Sequence, residues 1–267
     1  MTGPTLSSEY GSPAALRVRM ATHDNYSERR ADPTAAVLKA LRLNGEETLA
    51  DIGCGDGRFL AHLLERGHRG RIVGLDTSPG MVATVSRIPG AAAIVGDAEQ
   101  LPFATAEFDR TTARHMLYHV PDPLRALHEF RRITKPGGTV VVAINLTESY
   151  ARTQAVILER ARAYGLAPIG ELAFTVGPRT LPGLLRQVFP YSRIERFDDA
   201  LVFDTPAPLI DFAEAMFSFC GIAADSPHRA AILEQITEDF EAWFAANPGQ
   251  RWRDPKGFLI ATAPVPG

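Results

Sequence analysis

The feature that most constrains this chain is a glycine cluster at the end of a short apolar run. Thr48-Leu49-Ala50-Asp51-Ile52 leads into Gly53-Cys54-Gly55-Asp56-Gly57, after which Phe59, Leu60, Leu63 and Leu64 recur at helical spacing up to Gly67. That order reads as strand, glycine turn, helix. The same rhythm then repeats. Arg71 to Asp76 reads as a second buried strand, and Ser78-Pro79 supplies the cap and proline that start a helix running to about Ile88-Pro89. Ala92 to Gly96 reads as a third strand and Phe108 to Ala113 as a fourth; Asp122-Pro123 opens a helix, and Lys135-Pro136-Gly137-Gly138 turns into an apolar strand, Thr139 to Ile144. Upstream, Asp32-Pro33 starts a helix over about 33–43. Apolar strands alternating with helices imply parallel strands covered on both faces, because a parallel crossover needs a helix between its strands.

Beyond Asn145 the rhythm changes. Helical segments are expected at about 149–164 and 180–188, a long β-type stretch from Ser192 to Asp204, helices at about 207–220 and 226–246, and a last strand from Gly257 to Ala263. The expected fold is α/β: a Rossmann-like, mostly parallel seven-stranded sheet with helices on both faces and a helical insertion before the last strand. Residues 33–204 and 257–267 would form the sheet domain and 205–256 the insertion or substrate cap, since such additions usually carry specificity. Residues 1–32 form an N-terminal segment, loose over its first fifteen residues, that can serve as a lid.

Composition narrows the function. The chain has 267 residues, 45% of them hydrophobic, enough for a full core, and a formal net charge of −3 built from interspersed signs. Short basic groups such as Arg29-Arg30 and His68-Arg69-Gly70-Arg71 read as solvated faces, so nucleic acid is not the expected partner. No apolar run approaches the roughly 18 residues of a spanning helix, and the first residues lack the pattern of a secretory signal. With two cysteines, Cys54 and Cys220, neither a disulfide framework nor a structural zinc site organises the fold. The expected compartment is the cytoplasm, with no membrane partner.

Open α/β sheets bind ligands beyond the carboxyl ends of their strands. A dinucleotide fingerprint here would need glycine at position 58, which holds Arg58. Asp51 and Asp56 would also repel a pyrophosphate by on the order of 1–4 kcal/mol per pair at about 4 Å, and would attract a sulfonium and an ammonium group. Asp76, 23 residues after Gly53, ends the second strand, where a carboxylate can bind both ribose hydroxyls; Asp97 follows the third and can reach an adenine amine.

Four segments carry a family resemblance: Asp51 to Gly57, Gly74-Leu75-Asp76-Thr77-Ser78, Gly96-Asp97-Ala98-Glu99-Gln100-Leu101-Pro102-Phe103, and Phe108-Asp109 followed by Lys135-Pro136-Gly137-Gly138. In order and spacing this resembles the class I, Rossmann-like S-adenosylmethionine-dependent methyltransferases, in particular their small-molecule branch that includes the ubiquinone/menaquinone-type enzymes. The resemblance covers residues 33–147 and the rest only in outline. It implies S-adenosylmethionine as cofactor, with Asp51, Gly53 and Gly55 along the methionine portion, Asp76 on the ribose, Thr77 and Met81 beside the adenosine, Asp97 and Ala98 at the adenine, and Arg114 along the cofactor. Met81 reads equally well as helix packing. Cys54 is expected to be a buried filler.

Methyl transfer requires an aligned acceptor and, where the acceptor is protonated, a base. Arg114-His115-Met116-Leu117-Tyr118-His119-Val120-Pro121 follows the fourth strand and opens on the cofactor's side. His119 is the expected base, with Tyr118 and His115 as alternatives; hydrogen bonding of His119 to backbone is the competing reading. His115 and His119 could share a helical face, but no third ligand suggests a metal. In the N-terminal segment, Tyr26 and His23 are candidates for contact with the methionine carboxylate or the substrate. Phe212, Met216 and Phe219, and Trp243 with Phe244, read first as core and second as an apolar substrate wall. The expected function is methyl transfer to a small, moderately hydrophobic organic acceptor. The rival of a different class is a protein that binds the cofactor without transferring the methyl group. A DNA acceptor is disfavoured because Met116-Leu117-Tyr118-His119 stands where an Asn/Asp-Pro-Pro-Tyr type of sequence would grip a flipped base.

Overall fold

The computed structural model describes residues 13–29, 31–166 and 176–267. The expectation for the chain start lies outside the described residues as far as Ser12, as does Arg30. The elements are α1 (Pro13–Tyr26), α2 (Pro33–Leu41), β1 (Leu49–Ile52), α3 (Arg58–Glu65), β2 (Ile72–Asp76), α4 (Pro79–Val85), β3 (Ala91–Val95), β4 (Phe108–Arg114), α5 (Pro123–Ile133), β5 (Thr134–Asn145), α6 (Ala151–Ala163), α7 (Leu181–Val188), β6 (Arg193–Phe203), α8 (Pro206–Ala215), α9 (Arg229–Ala246) and β7 (Trp252–Pro264). The seven strands form one sheet in the order β3-β2-β1-β4-β5-β7-β6. Strands β3, β2, β1, β4 and β5 run parallel, and β7 is antiparallel to β5. This is the Rossmann-like α/β architecture expected from the sequence.

The described residues divide into two compact units. One lies within Asp32–Thr147, Phe174–Phe197 and Phe258–Gly267. Its core packs the continuous apolar strands, Ala50, Ile52, Val73, Leu75, Val140, Val142 and Ile144 among them, against Phe108, Leu127, Phe130 and Leu185. Helix starts are set as the sequence suggests: Asp32, Ser78 and Asp122 each cap a helix whose first turn carries a proline. At the amino-terminal ends of the strands Asp109 accepts hydrogen bonds from Thr48 N (2.8 Å) and Thr48 Oγ1 (2.6 Å) and pairs with Lys135 Nζ (2.9 Å), tying β4 to the residues that begin β1 and β5.

The other unit lies within Met1–Ala31, Glu148–Ala173 and Asp198–Gly257. It therefore includes residues 148–166 and 198–204 together with the 205–256 segment. Leu201, Phe203, Leu209, Phe212, Phe217, Ile232, Ile236, Phe240 and Trp252 form its core. Phe212 and Met216 are buried in that core, whereas Phe219, Trp243 and Phe244 are only partly buried against it. Asp254, fully buried, accepts from the amides of Arg152 (3.2 Å) and Thr153 (2.7 Å) and so fixes the start of α6. No helix among the described residues is long and apolar enough to cross a membrane.

Burial pushes the Asp109 carboxyl up, but the Thr48 hydrogen bonds and the Lys135 ammonium outweigh it and bring the pKa to about 2, from 3.8. A depressed carboxylate pKa adds stability that is fully present above the ordinary value and is lost as pH falls through the folded one. Asp109→Asn should thus lower the melting temperature at pH 7, and the gap from wild type should shrink as pH falls from about 4 towards 2. A gap constant with pH would show that the carboxylate's charge plays no part.

Candidate active site

The parallel strands β1, β2, β3 and β4 end on one edge of the sheet, at Ile52, Asp76, Val95 and Arg114. The turn after β1 is left-handed at all three glycines, with φ of +68° at Gly53, +55° at Gly55 and +80° at Gly57. A Cβ on Gly53 would lie 2.6 Å from Met116 Cβ, and one on Gly57 would lie 2.8 Å from Val85 and Ile88 side-chain atoms. One on Gly55 would meet nothing within 4 Å. Two glycines are therefore required by the protein's own packing, and the third borders open space in which a ligand can approach the backbone.

Asp76 builds the loop it borders. Its Oδ2 accepts from Gly55 N and its Oδ1 from Ser78 N, each at 2.9 Å. Half-buried, it keeps lone pairs for a further donor, since each carboxylate oxygen accepts more than one hydrogen bond. Asp97 is exposed at the end of β3 and accepts from Glu99 N at 2.9 Å; Ala98 beside it is buried. Thr77 is exposed, and Met81 is half-buried in the first turn of α4 with its amide directed at Ser78 Oγ. Cys54 packs against Gly74, and burial, with the charges of Asp51 and Asp76, pushes its thiol up to about 12, so it is no nucleophile.

Asp51 is fully buried. Its carboxylate accepts from Thr112 Oγ1 (2.7 Å) and from Arg114 Nε (3.2 Å) and Nη2 (2.9 Å), and the Arg114 guanidinium lies 4.1 Å from the Phe59 ring centre. Asp56 pairs with Arg58 Nε at 2.7 Å. Both loop carboxylates are thus partnered, and the repulsion of a pyrophosphate expected from the sequence is offset by cations that it did not pair with them. The discrimination against a dinucleotide rests on the glycine spacing.

The chain leaves β4 through His115, a non-glycine residue at φ +54° whose amide donates to Ala143 O. Its Nδ1 is enclosed without a hydrogen-bond partner, and burial, reinforced by the Arg114 charge, lowers its pKa to about 4. Leu117–His119 forms a single 3₁₀ turn with Leu117 buried, and the Tyr118 and His119 rings meet edge-on at 4.5 Å. Burial also lowers the His119 pKa below the usual imidazole value.

Beside the loop lies a cleft of about 460 Å³ lined by Asp56, Arg58, Phe59, His62 and Arg114, with Asp32, Thr34 and Cys54 completing its wall. Asp76 and Asp97 are not among its lining residues; they lie along the strand ends. Of the lining residues, Arg114 is the one expected along the cofactor, and Cys54 and Asp56 belong to the expected glycine loop. Arg58, Phe59 and His62 share one face at the start of α3, a position legible from the glycine turn before them. Asp32 and Thr34 come from the start of α2, which no local pattern connects to the loop. Tyr26 and His23 lie in the other unit, where Tyr26 stacks on Phe203 and His23 Nε2 bonds Tyr150 Oη at 3.1 Å. Lys256 Nζ reaches His23 Nδ1 at 3.1 Å; because lysine only donates, Nδ1 is the acceptor and Nε2 carries the proton towards Tyr150. Among the described residues no three His, Cys, Asp or Glu side chains come together as a metal site.

Residues 50–142 match the methyltransferase domain family. A demethylmenaquinone methyltransferase of Beutenbergia cavernae is 38% identical over 122 residues, which cover 45% of this chain and 50% of the relative. The chain spans about half or less of the length of the curated relatives it matches. Among solved structures, the [4+2]-cyclase SpnF superposes with a TM-score of 0.57 at 17% identity over 100% of this chain and 99% of that one. Phosphoethanolamine N-methyltransferase 2 of Haemonchus contortus, in complex with S-adenosyl-L-methionine, gives 0.59 at 15% identity over 98% and 59%.

The unequal surroundings of the glycines separate folding from binding. Gly53→Ala should destabilise the protein by about 2–4 kcal/mol through strain and the clash with Met116. Gly55→Ala should cost about 1–2 kcal/mol in folding but weaken S-adenosylhomocysteine binding severely. Thermal unfolding and calorimetric titration of both variants check this; unchanged S-adenosylhomocysteine affinity in folded Gly55→Ala protein would remove Gly55 from the ligand's path.

Proposed function

We propose, on the match of residues 50–142 to the methyltransferase domain family, that the chain transfers a methyl group from S-adenosylmethionine to a small, moderately hydrophobic organic acceptor. The observation that carries the reading is the conjunction at one sheet edge of a left-handed glycine turn with open space at Gly55 and carboxylates ending β2 and following β3. Gly53 and Gly55 offer backbone to the amino-acid end, Asp76 accepts from the ribose, and Asp97 with Ala98 receives the adenine, with Thr77 and Met81 beside it. The cofactor, when bound, supplies a methyl carbon made electrophilic by its sulfonium. The protein's contribution is then to align the acceptor, exclude water and remove a proton where the acceptor carries one. His119 is assigned that last role, with Tyr118 edge-on to its ring holding its orientation. Two buried free thiols suit a reducing compartment such as the cytoplasm.

A second reading is favoured by one finding: a structure matched along the whole of this chain is a cyclase. The fold is thus compatible with catalysis other than methyl transfer, and a panel of phenols, carboxylates, amines and indoles distinguishes the two readings, because a transferase converts S-adenosylmethionine to S-adenosylhomocysteine in step with product.

S-adenosylmethionine and S-adenosylhomocysteine should raise the melting temperature by mass action, with about 2.7 kcal/mol of added stability at a hundredfold excess over Kd. NAD should not. Stabilisation by NAD and none by S-adenosylhomocysteine would sink the assignment. His119→Ala should lower turnover by about two to four powers of ten with cofactor affinity unchanged. A base must be neutral to act, so the wild-type rate should fall on the acid side below an inflection lying under 6.5, and the variant should lose that limb. Turnover within a few-fold of wild type would make His119 a packing residue.

A further inference from the structure

Arg114 is the one guanidinium lining the cleft that is largely enclosed and yet only partly used by the protein. A guanidinium carries five N–H donors in a planar fork. Nε and one Nη2 hydrogen go to Asp51, and the flat face rests on Phe59. No other described residue accepts from it. The side chain is 18% exposed and forms part of the cleft wall, so its remaining three donors belong to the side of the fork away from Asp51. Asp51 is 0% exposed, is not part of that wall, and already has Thr112 and Arg114 on its oxygens.

We propose that Arg114 grips the carboxylate of the cofactor's amino-acid end, and that Asp51 is a positioning residue acting only through Arg114. The proposal rests on the cofactor reading above and changes the role the sequence suggested for Asp51, from ligand contact to support. A planar fork matched to a planar carboxylate is the geometry in which arginine binds best, and an arginine held on one side by a buried acid is already oriented for the other. A guanidinium between two carboxylates needs further positive potential nearby. The first turn of α3, whose N-cap Gly57 has no side chain to cap the helix, borders the same cleft and supplies some of it, while Arg58 in that turn is already paired with Asp56. For Asp51 itself to hold the ligand's ammonium, a fully buried carboxylate that is not part of the cleft wall would first have to be opened to the cleft.

The test uses the full chain and two ligands measured by titration calorimetry: S-adenosylhomocysteine, and its decarboxylated analogue, which keeps the amine. Arg114→Gln should weaken S-adenosylhomocysteine by about 10- to 100-fold, the range for charge-assisted hydrogen bonds, and leave the analogue within about threefold of wild type. Asp51→Asn should show the same selectivity, and the double variant should bind no worse than Arg114→Gln alone. Equal weakening of both ligands by Arg114→Gln, or of neither, would overturn the assignment, and additive losses in the double variant would put Asp51 on the ligand itself. Should Asp51→Asn fail to fold, Arg114→Gln with the two ligands decides alone. Wild-type protein that binds neither ligand would overturn the cofactor reading and this inference together, an outcome distinct from those above.

Discussion

A carboxylate with no access to water sits at the end of the first strand, and the site takes its shape from how that charge is accommodated. A buried ion left without a partner costs several kcal/mol, so Asp51 must be met by donors from its neighbours. Thr112 and Arg114 meet it, and both come from β4, the strand paired with β1. The pair therefore locks the two strand ends between which the ligand edge opens. From the β1 side the chain enters the glycine turn at Gly53; from the β4 side it enters His115 and Met116, and Met116 packs so tightly over Gly53 that no Cβ fits there. One buried interaction thus holds the two strand ends together, and at Gly53 the approach of Met116 leaves no room for a Cβ.

Pairing also changes the charge argument at this edge. Read in sequence, Asp51 and Asp56 look like two free negative charges. In the fold one is bound to Arg114 and the other to Arg58, which leaves Asp76 and Asp97 as the acidic groups along the strand ends. Net charge near the turn is then a poor guide to ligand choice. Directional groups take its place: backbone at Gly55 with space before it, carboxylate lone pairs at the ends of two strands, and the unused side of a guanidinium.

What could be read from the sequence was what depends on neighbours a few residues apart. The glycine turn, the Asp-Pro and Ser-Pro helix starts and the runs of buried strand residues all express local geometry, and the five parallel strands follow from them. What could not be read depends on partners far along the chain. Helix α1 went unforeseen because Arg17, Arg19, His23 and Asp24 interrupt any apolar stripe; it is held instead by contacts such as Arg19 on Ala215 O and His23 on Tyr150. Strand β7 begins at Trp252, earlier than its apolar run, because Asp254 is buried as the cap of α6 and reads in sequence as a surface residue. The Asp51–Arg114 pair was hidden in the same way, 63 residues apart.

Two histidines four residues apart show how much the fold adds to a motif. In the sequence, position alone makes His119 the expected base and His115 an alternative. A general base must be neutral before the step and must hold the proton after it. His115 meets the first condition and fails the second: its Nδ1 is enclosed without a partner and Arg114 stands beside it, so an imidazolium there would be both desolvated and repelled, as its pKa near 4 expresses. At His119 the lowering comes from burial, without the added Arg114 charge that acts on His115. On the reading of a base at this loop the choice therefore falls on His119, and His115 is left a neutral ring whose left-handed backbone carries the chain from the end of β4 to Met116 and its contact with Gly53.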